Sequence, residues 1–124
     1  MYLLDTHILV WWVIGSDRLP VHVRKILDER ESGVFVSAVT IWEIAIKNSL
    51  KKLLIPNSFF DDIKKSQFSE LPISFQHTMA VRDLPFFHDD PFDRLLIAQA
   101  IVEKMTLITA DKDILRYDVA TLKI

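Results

Sequence analysis

Three acidic residues, Asp5, Glu43 and Asp111, are spaced so that a parallel α/β chain would bring them to one edge. A fourth, Asp93, would complete the group from a helix start that sequence alone does not bring there. Asp5 ends the stretch "YLLD", and Asp111 follows "TLIT" by two residues. Glu43 lies about one and a half helical turns beyond "VFVS", and Asp93 sits in "DDPFDRLL". Carboxylates gathered within a few ångströms repel one another, and burial worsens the repulsion. Such a group persists when protons are shared or a cation sits among its members. Oxygen donors without Cys or His favour Mg²⁺ or Mn²⁺ over Zn²⁺. A hard divalent ion lowers the pKa of an attacking water and offsets charge on a phosphate. An acid-only site therefore points to phosphodiester chemistry rather than acyl transfer.

Each acid also has a purely structural reading. Asp5 fits an N-cap for "THILVWW", and Asp111 fits one for "KDILRY". Thr40-x-x-Glu43 has capping-box form, but Ser37 is the better helix start. Glu43, between Trp42 and Ile44, is out of place in an apolar stretch unless it has a task. Asp90 before Pro91 is best read as a helix cap with proline at the first helical position. Asp93 then falls third in that helix, where the dipole favours an acid. Singly these positions are unspecific; their joint placement is the signal.

Other chemistries lack their signatures. The four histidines, His7, His22, His77 and His88, have no metal-ligand spacing, and with two glycines there is no phosphate-binding loop or nucleophile elbow. His7 and His22 read as surface residues. Lys47 and Lys51 follow Glu43 at i+4 steps, a basic stripe better read as a solvated helix face than as a nucleic-acid track. Trp11, Trp12, Phe59 and Phe60 are assigned to core or subunit interface rather than to base stacking.

The elements that must hold the acids follow from the hydrophobic pattern. Strands are expected at "YLL", "VFVS", "LPI", "TLIT" and near "ATLKI". Helices are expected over "THILVWWVIG", "LPVHVRKILDERESG", "AVTIWEIAIKNSLKK", "SFFDDIKKSQF", "FQHTMAVRD" and "PFDRLLIAQAIVEKM", with a short turn at "KDILRY". The first is apolar nearly all round and should be deeply buried or meet a partner. Strands alternating with helices indicate an α/β fold with a mainly parallel sheet and helices on both faces. In such sheets sites form beyond the carboxyl ends of the strands, where Asp5, Glu43 and Asp111 are expected. At 124 residues one domain spanning 1–124 is expected.

Half the residues are hydrophobic and 26% charged, which reads as globular. The absence of Cys excludes disulfides and thiolate metal sites and suits the cytoplasm. "ILVWWVI" is too short to span a membrane, and Asp5 before it with no basic flank argues against a signal peptide. The formal charge of −2 speaks against a strongly basic nucleic-acid binder, but bound cations would change that balance.

"YLLDTH", "FVSAVTIWEIAIK", "DPFDRLLIAQA" and "LITADKD" together resemble the PIN-domain ribonucleases, in particular the VapC-type toxins of toxin–antitoxin pairs. The likeness runs nearly end to end, with four acidic motifs in order. It implies a PIN-like three-layer sandwich and an Mg²⁺- or Mn²⁺-dependent endoribonuclease. It places the metal-site acids on Asp5, Glu43, Asp93 and Asp111, with Thr6, Asp90, Thr109 and Asp113 as auxiliary positions. It further implies a homodimer inhibited by a small antitoxin that occludes the acidic pocket. His7 departs from the Asn or Ser of many relatives. Removing four metal-site charges from the formal −2 leaves +2, so the objection to an RNA partner weakens.

Three rivals remain at this level. A phospho-accepting receiver would want adjacent acids after the first strand, where "DTH" stands, and an Asp where Ser37 stands. A metal-dependent DNase or phosphatase could use the same acids, since the site reads phosphate rather than sugar. An inactive interaction domain fits poorly with a full set of acids.

Overall fold

The computed structural model describes residues 1–29 and 33–124. Strand β1 (Tyr2–Leu4) leads into helix α1 (Thr6–Ile14), followed by α2 (Val21–Asp28). Strand β2 (Val34–Ser37) runs straight into α3 (Ala38–Ser49), and α4 (Phe59–Lys65) precedes β3 (Ser69–Leu71). Helices α5 (Phe75–Ala80) and α6 (Pro91–Glu103) then lead to β4 (Thr106–Thr109) and β5 (Thr121–Lys123). The strands form one sheet in the order β3-β2-β1-β4-β5, with every pairing parallel. This is the expected α/β sandwich, with β1 at its centre.

The two faces of the sheet follow from alternation along the strands. Leu3 lies opposite Leu107 and Leu4 opposite Ile108, all fully buried. Leu3 and Leu107 join a core that includes Leu96, Ile97 and Ala100 of α6. Leu4 and Ile108 join a second core with Ile8 and Leu9 of α1, Val23 and Leu27 of α2, and Phe59 of α4. Helix α3 feeds both, Val39 to the first and Ile44 to the second. Each fully buried Leu or Ile contributes roughly 1.5–3 kcal/mol.

Local chemistry sets the helix ends. Gly15 stops α1 at φ 70°, a left-handed conformation in which a Cβ is disfavoured. At the start of α3 the cap is Ser37, whose Oγ accepts from Val39 N at 3.0 Å. Trp12 and Phe60 pack partly buried against the second core, and Trp12 Nε1 donates to Asp28 at 2.8 Å. Core packing is therefore the role of the "WW" pair, although Ile14 is 48% exposed.

Three boundaries differ from the sequence reading. The third strand is Ser69–Leu71, so only Leu71 of "LPI" belongs to it. Pro72 has no N–H for the ladder and stops the strand. Helix α2 ends at Asp28, with Glu29 already extended, while Arg30, Glu31 and Ser32 of the expected helix lie outside the described residues. Helix α5 tightens into a 3-10 turn at Val81–Asp83, and Leu84 before Pro85 is extended, as a residue preceding proline prefers. Among the described residues no helix is long and apolar enough to cross a membrane.

Candidate functional site

Asp5 leaves β1 at the centre of the carboxyl edge and is 2% exposed. Both of its readings hold at once. Its Oδ1 accepts from Thr6 N at 2.7 Å as the cap of α1, and its Oδ2 accepts from Thr109 Oγ1 at 2.8 Å. Thr109 ends the neighbouring strand β4, and its Oγ1 also accepts from Asp111 N at 3.0 Å. Asp111 therefore stands beside Asp5 at the same edge. Its Oδ1 accepts from Asp113 N at 2.8 Å, which shapes the turn toward Ile114.

Glu43 reaches the group from α3 and is 4% exposed. Thr6 Oγ1 donates to Glu43 Oε1 at 2.7 Å, and Lys47 Nζ, one turn later, pairs with Oε2. The contact raises the Lys47 ammonium pKa, chiefly through the hydrogen bond to Glu43. Thr40 Oγ1 is buried without a hydrogen-bond partner among the described residues, which confirms Ser37 as the helix start.

Asp93 arrives by a different route. Helix α6 feeds β4 after Lys104 and Met105, so it runs antiparallel to the strands. A helix of 13 residues is about 19 Å long, enough to carry its N-terminus back to the carboxyl edge. Asp90 Oδ1 caps it, accepting from Phe92 N at 2.9 Å and Asp93 N at 3.2 Å, with Pro91 at the first helical position. Asp90 is thus the cap that the sequence suggests, leaving the Asp93 side chain free for the site.

The acids sense one another. Burial pushes the Asp93 carboxyl up to about 7, and repulsion from Asp5, Asp90 and Asp111 adds to it, while a hydrogen bond from His88 opposes it. Asp5 is also raised, first by burial, against the pull of Thr109, Thr6 and His7. The two most buried aspartates therefore face each other with too much negative charge for their surroundings.

This arrangement was tested as a cation site. The donors are all oxygen, which suits Mg²⁺ or Mn²⁺. Among the described residues, however, no three Asp, Glu or His side chains stand close enough to hold one ion together. Glu43 is engaged by Thr6 and Lys47, and Asp111 by the Asp113 N–H. Asp5 and Asp93 are the pair with charge to share. They fit an ion that takes one or two carboxylates and keeps its waters, as Mg²⁺ does.

The auxiliary positions separate. Thr6 and Thr109 bond directly to the acids, and Asp90 caps. Asp113 is exposed, 3.9 Å from Arg116, and touches the group through its backbone. The sequence reading missed His88, Tyr117 and Arg94. His88 Nε2 lies 3.2 Å from Asp93 Oδ2, and its Nδ1 lies 2.8 Å from Tyr117 Oη. His88 has no ligand motif, but its place five residues before Asp93 was a usable hint; Tyr117 offered none. Lys47 makes the i+4 pair with Glu43 that the helix-face reading of its stripe includes.

Comparison with known proteins bears on the family and the fold. The PIN domain family matches residues 2–120. Among solved structures, the chain is similar to one in VapBC2 from Rickettsia felis bound to a DNA fragment from their promoter. That match has a TM-score of 0.74 and 19% identity, covering 99% of this chain and 98% of the other. DNA-bound VapBC from Salmonella typhimurium gives 0.74 at 16% identity, covering 98% and 96%. A toxin-antitoxin complex from Klebsiella pneumoniae gives 0.63 at 20% identity, covering 91% and 89%. No curated protein matches the chain in sequence.

Proposed function

The chain belongs to the PIN domain family, and on that footing we propose that it is a metal-dependent endoribonuclease of the VapC toxin type, held inactive by a small antitoxin. The observation that carries this is the convergence of Asp5 and Asp93 at one strand edge, where burial and the Asp5 charge raise the Asp93 carboxyl and a hard divalent cation would relieve that repulsion. Asp5 and Asp93 would hold Mg²⁺ or Mn²⁺ while the ion keeps its waters, with Asp111, and Glu43 on release from Lys47, drawing in once it is bound. When bound, the ion supplies an acidified water and charge compensation at phosphate.

The chain's own residues prepare that site. Thr109 and the α1 N-terminus hold both oxygens of Asp5. Thr6 ties Glu43 to the same strand end, so β1 and α3 move as one body. The acids act first as holders of the ion, and none is assigned as a separate general base. One bound divalent ion brings the formal charge from −2 to 0, which lowers the repulsion of a polyanionic substrate. The structural neighbours are toxin–antitoxin assemblies, which supports an antitoxin partner; a homodimer and a cytoplasmic setting complete the reading.

Incubating the purified protein with RNA pools, with and without Mg²⁺, and sequencing the cut ends tests the proposal. Cleavage that needs the metal and disappears in Asp93→Asn is expected. Cleavage of single-stranded DNA alone would replace the substrate assignment, and metal-independent cleavage unaffected by Asp93→Asn would refute the site.

A further inference from the structure

Arg94 is 5% exposed, yet its partners are carbonyls and a phenol rather than a carboxylate. Its Nη1 donates to Pro85 O at 2.8 Å and to Tyr117 Oη at 3.2 Å, and its Nη2 to Leu84 O at 3.3 Å and Val81 O at 3.4 Å. The Phe86 ring lies 4.2 Å from the guanidinium carbon. One buried cation thus gathers the backbone that leads to His88.

The hydrogens in this group can be placed by elimination. A guanidinium only donates, so Tyr117 Oη accepts from Arg94. Oη also accepts from His88 N at 3.3 Å. Its single proton must go to an acceptor, and His88 Nδ1 at 2.8 Å is nearer than His88 O at 3.4 Å. Nδ1 is then the bare nitrogen, and Nε2 carries the proton directed at Asp93 Oδ2, 3.2 Å away. Asp93 Oδ1 takes no hydrogen bond among the described residues.

We propose that His88 is a positioning residue, fixed as the Nε2–H tautomer by the Arg94–Tyr117 pair, that tethers Asp93 by Oδ2 and leaves Oδ1 for the shared acidic site. This deepens the metal-site reading and rests on it. Hydrogen-bonded partners of ligating carboxylates set ligand orientation, and their loss typically weakens metal affinity by about 10–100-fold.

Two measurements on the full chain test it. Long-range proton–nitrogen correlation spectra of the histidine rings, taken above about pH 8 where imidazole is neutral, should show His88 as Nε2–H. Tyr117→Phe should give a mixture of tautomers. Calorimetric titration with Mn²⁺ should show about tenfold weaker binding for His88→Ala. His88→Gln, which offers an N–H at a similar reach, should recover most of the loss. An Nδ1–H ring in the wild type, or wild-type Mn²⁺ affinity in His88→Ala, would overturn the proposal. A wild-type chain that binds no Mn²⁺ would refute the metal reading instead, and the tautomer would still decide whether His88 tethers Asp93.

Discussion

Thr6 and Glu43 are joined by a 2.7 Å hydrogen bond between the first residue of α1 and the middle of α3. Glu43 is thereby held at the end of β1, not merely near the strand that precedes its own helix. The neighbouring Thr6 N–H holds Asp5, so one threonine serves two carboxylates through two different atoms. Asp5 and Glu43 are thus tied to one another through Thr6 with no ion between them.

Loss of either member of the Asp5 and Asp93 pair should therefore do two separable things. Asp5→Asn and Asp93→Asn should each reduce RNA cleavage by roughly a hundredfold or more, the order seen on losing one preorganised electrostatic contact. Both should also abolish the rise in melting temperature on adding Mg²⁺. Cleavage assays and thermal melts, run side by side, check both effects.

The pH dependence of stability has a defined sign. Asp93 stands at about 7 in the fold against an ordinary 3.8, so the folded chain binds this proton more tightly than the unfolded chain. The resulting stability is complete below about pH 4 and is lost as pH rises through 7. Without metal, the two pH units between 5 and 7 amount to about 2.6 kcal/mol, so the wild type should lose roughly 8–16 °C relative to Asp93→Asn between pH 5 and 8. Added Mg²⁺ should shrink that gap by favouring the charged form. Melting curves of both proteins across the range provide the comparison.

Thr109→Val keeps the shape of a fully buried side chain while deleting its hydroxyl. Asp5 Oδ2 loses its donor and Asp111 N its acceptor. A loss of about 1–3 kcal/mol is expected in denaturant unfolding. Cleavage should fall as well, since Asp5 is no longer held on both oxygens.

Ser37→Ala removes the cap of α3 and the hydroxyl that donates to buried Gln99 Oε1. Loss of the cap alone costs about 1 kcal/mol, and the orphaned amide oxygen adds to it. Urea midpoints should shift accordingly with an unchanged slope. A neutral outcome would mean that Gln99 finds another partner.

Much of this was legible because hydrophobic period and strand-end position are local properties. Asp5, Asp111 and Glu43 each follow a strand closely, so a parallel sheet suffices to bring them to one edge. Asp93 precedes its strand, and its placement follows only once α6 is seen to return antiparallel to β4. The third strand was misread because β3 is an edge strand with a single buried residue, Leu71. The proline after it looked like part of an apolar run, although it terminates the ladder. The network of His88, Tyr117 and Arg94 had no sequence signal of its own. His88 and Tyr117 are 29 residues apart, and the partners of Arg94 are mainly backbone carbonyls that any residue supplies.

The bond between Thr109 and Asp5 spans 104 positions. The central strand β1 is made well before β4, one of its two neighbours. Until β4 emerges, Asp5 has neither Thr109 nor Asp111 beside it. For a protein whose proposed substrate is RNA, the order of synthesis itself withholds the acidic edge until β4 has been made.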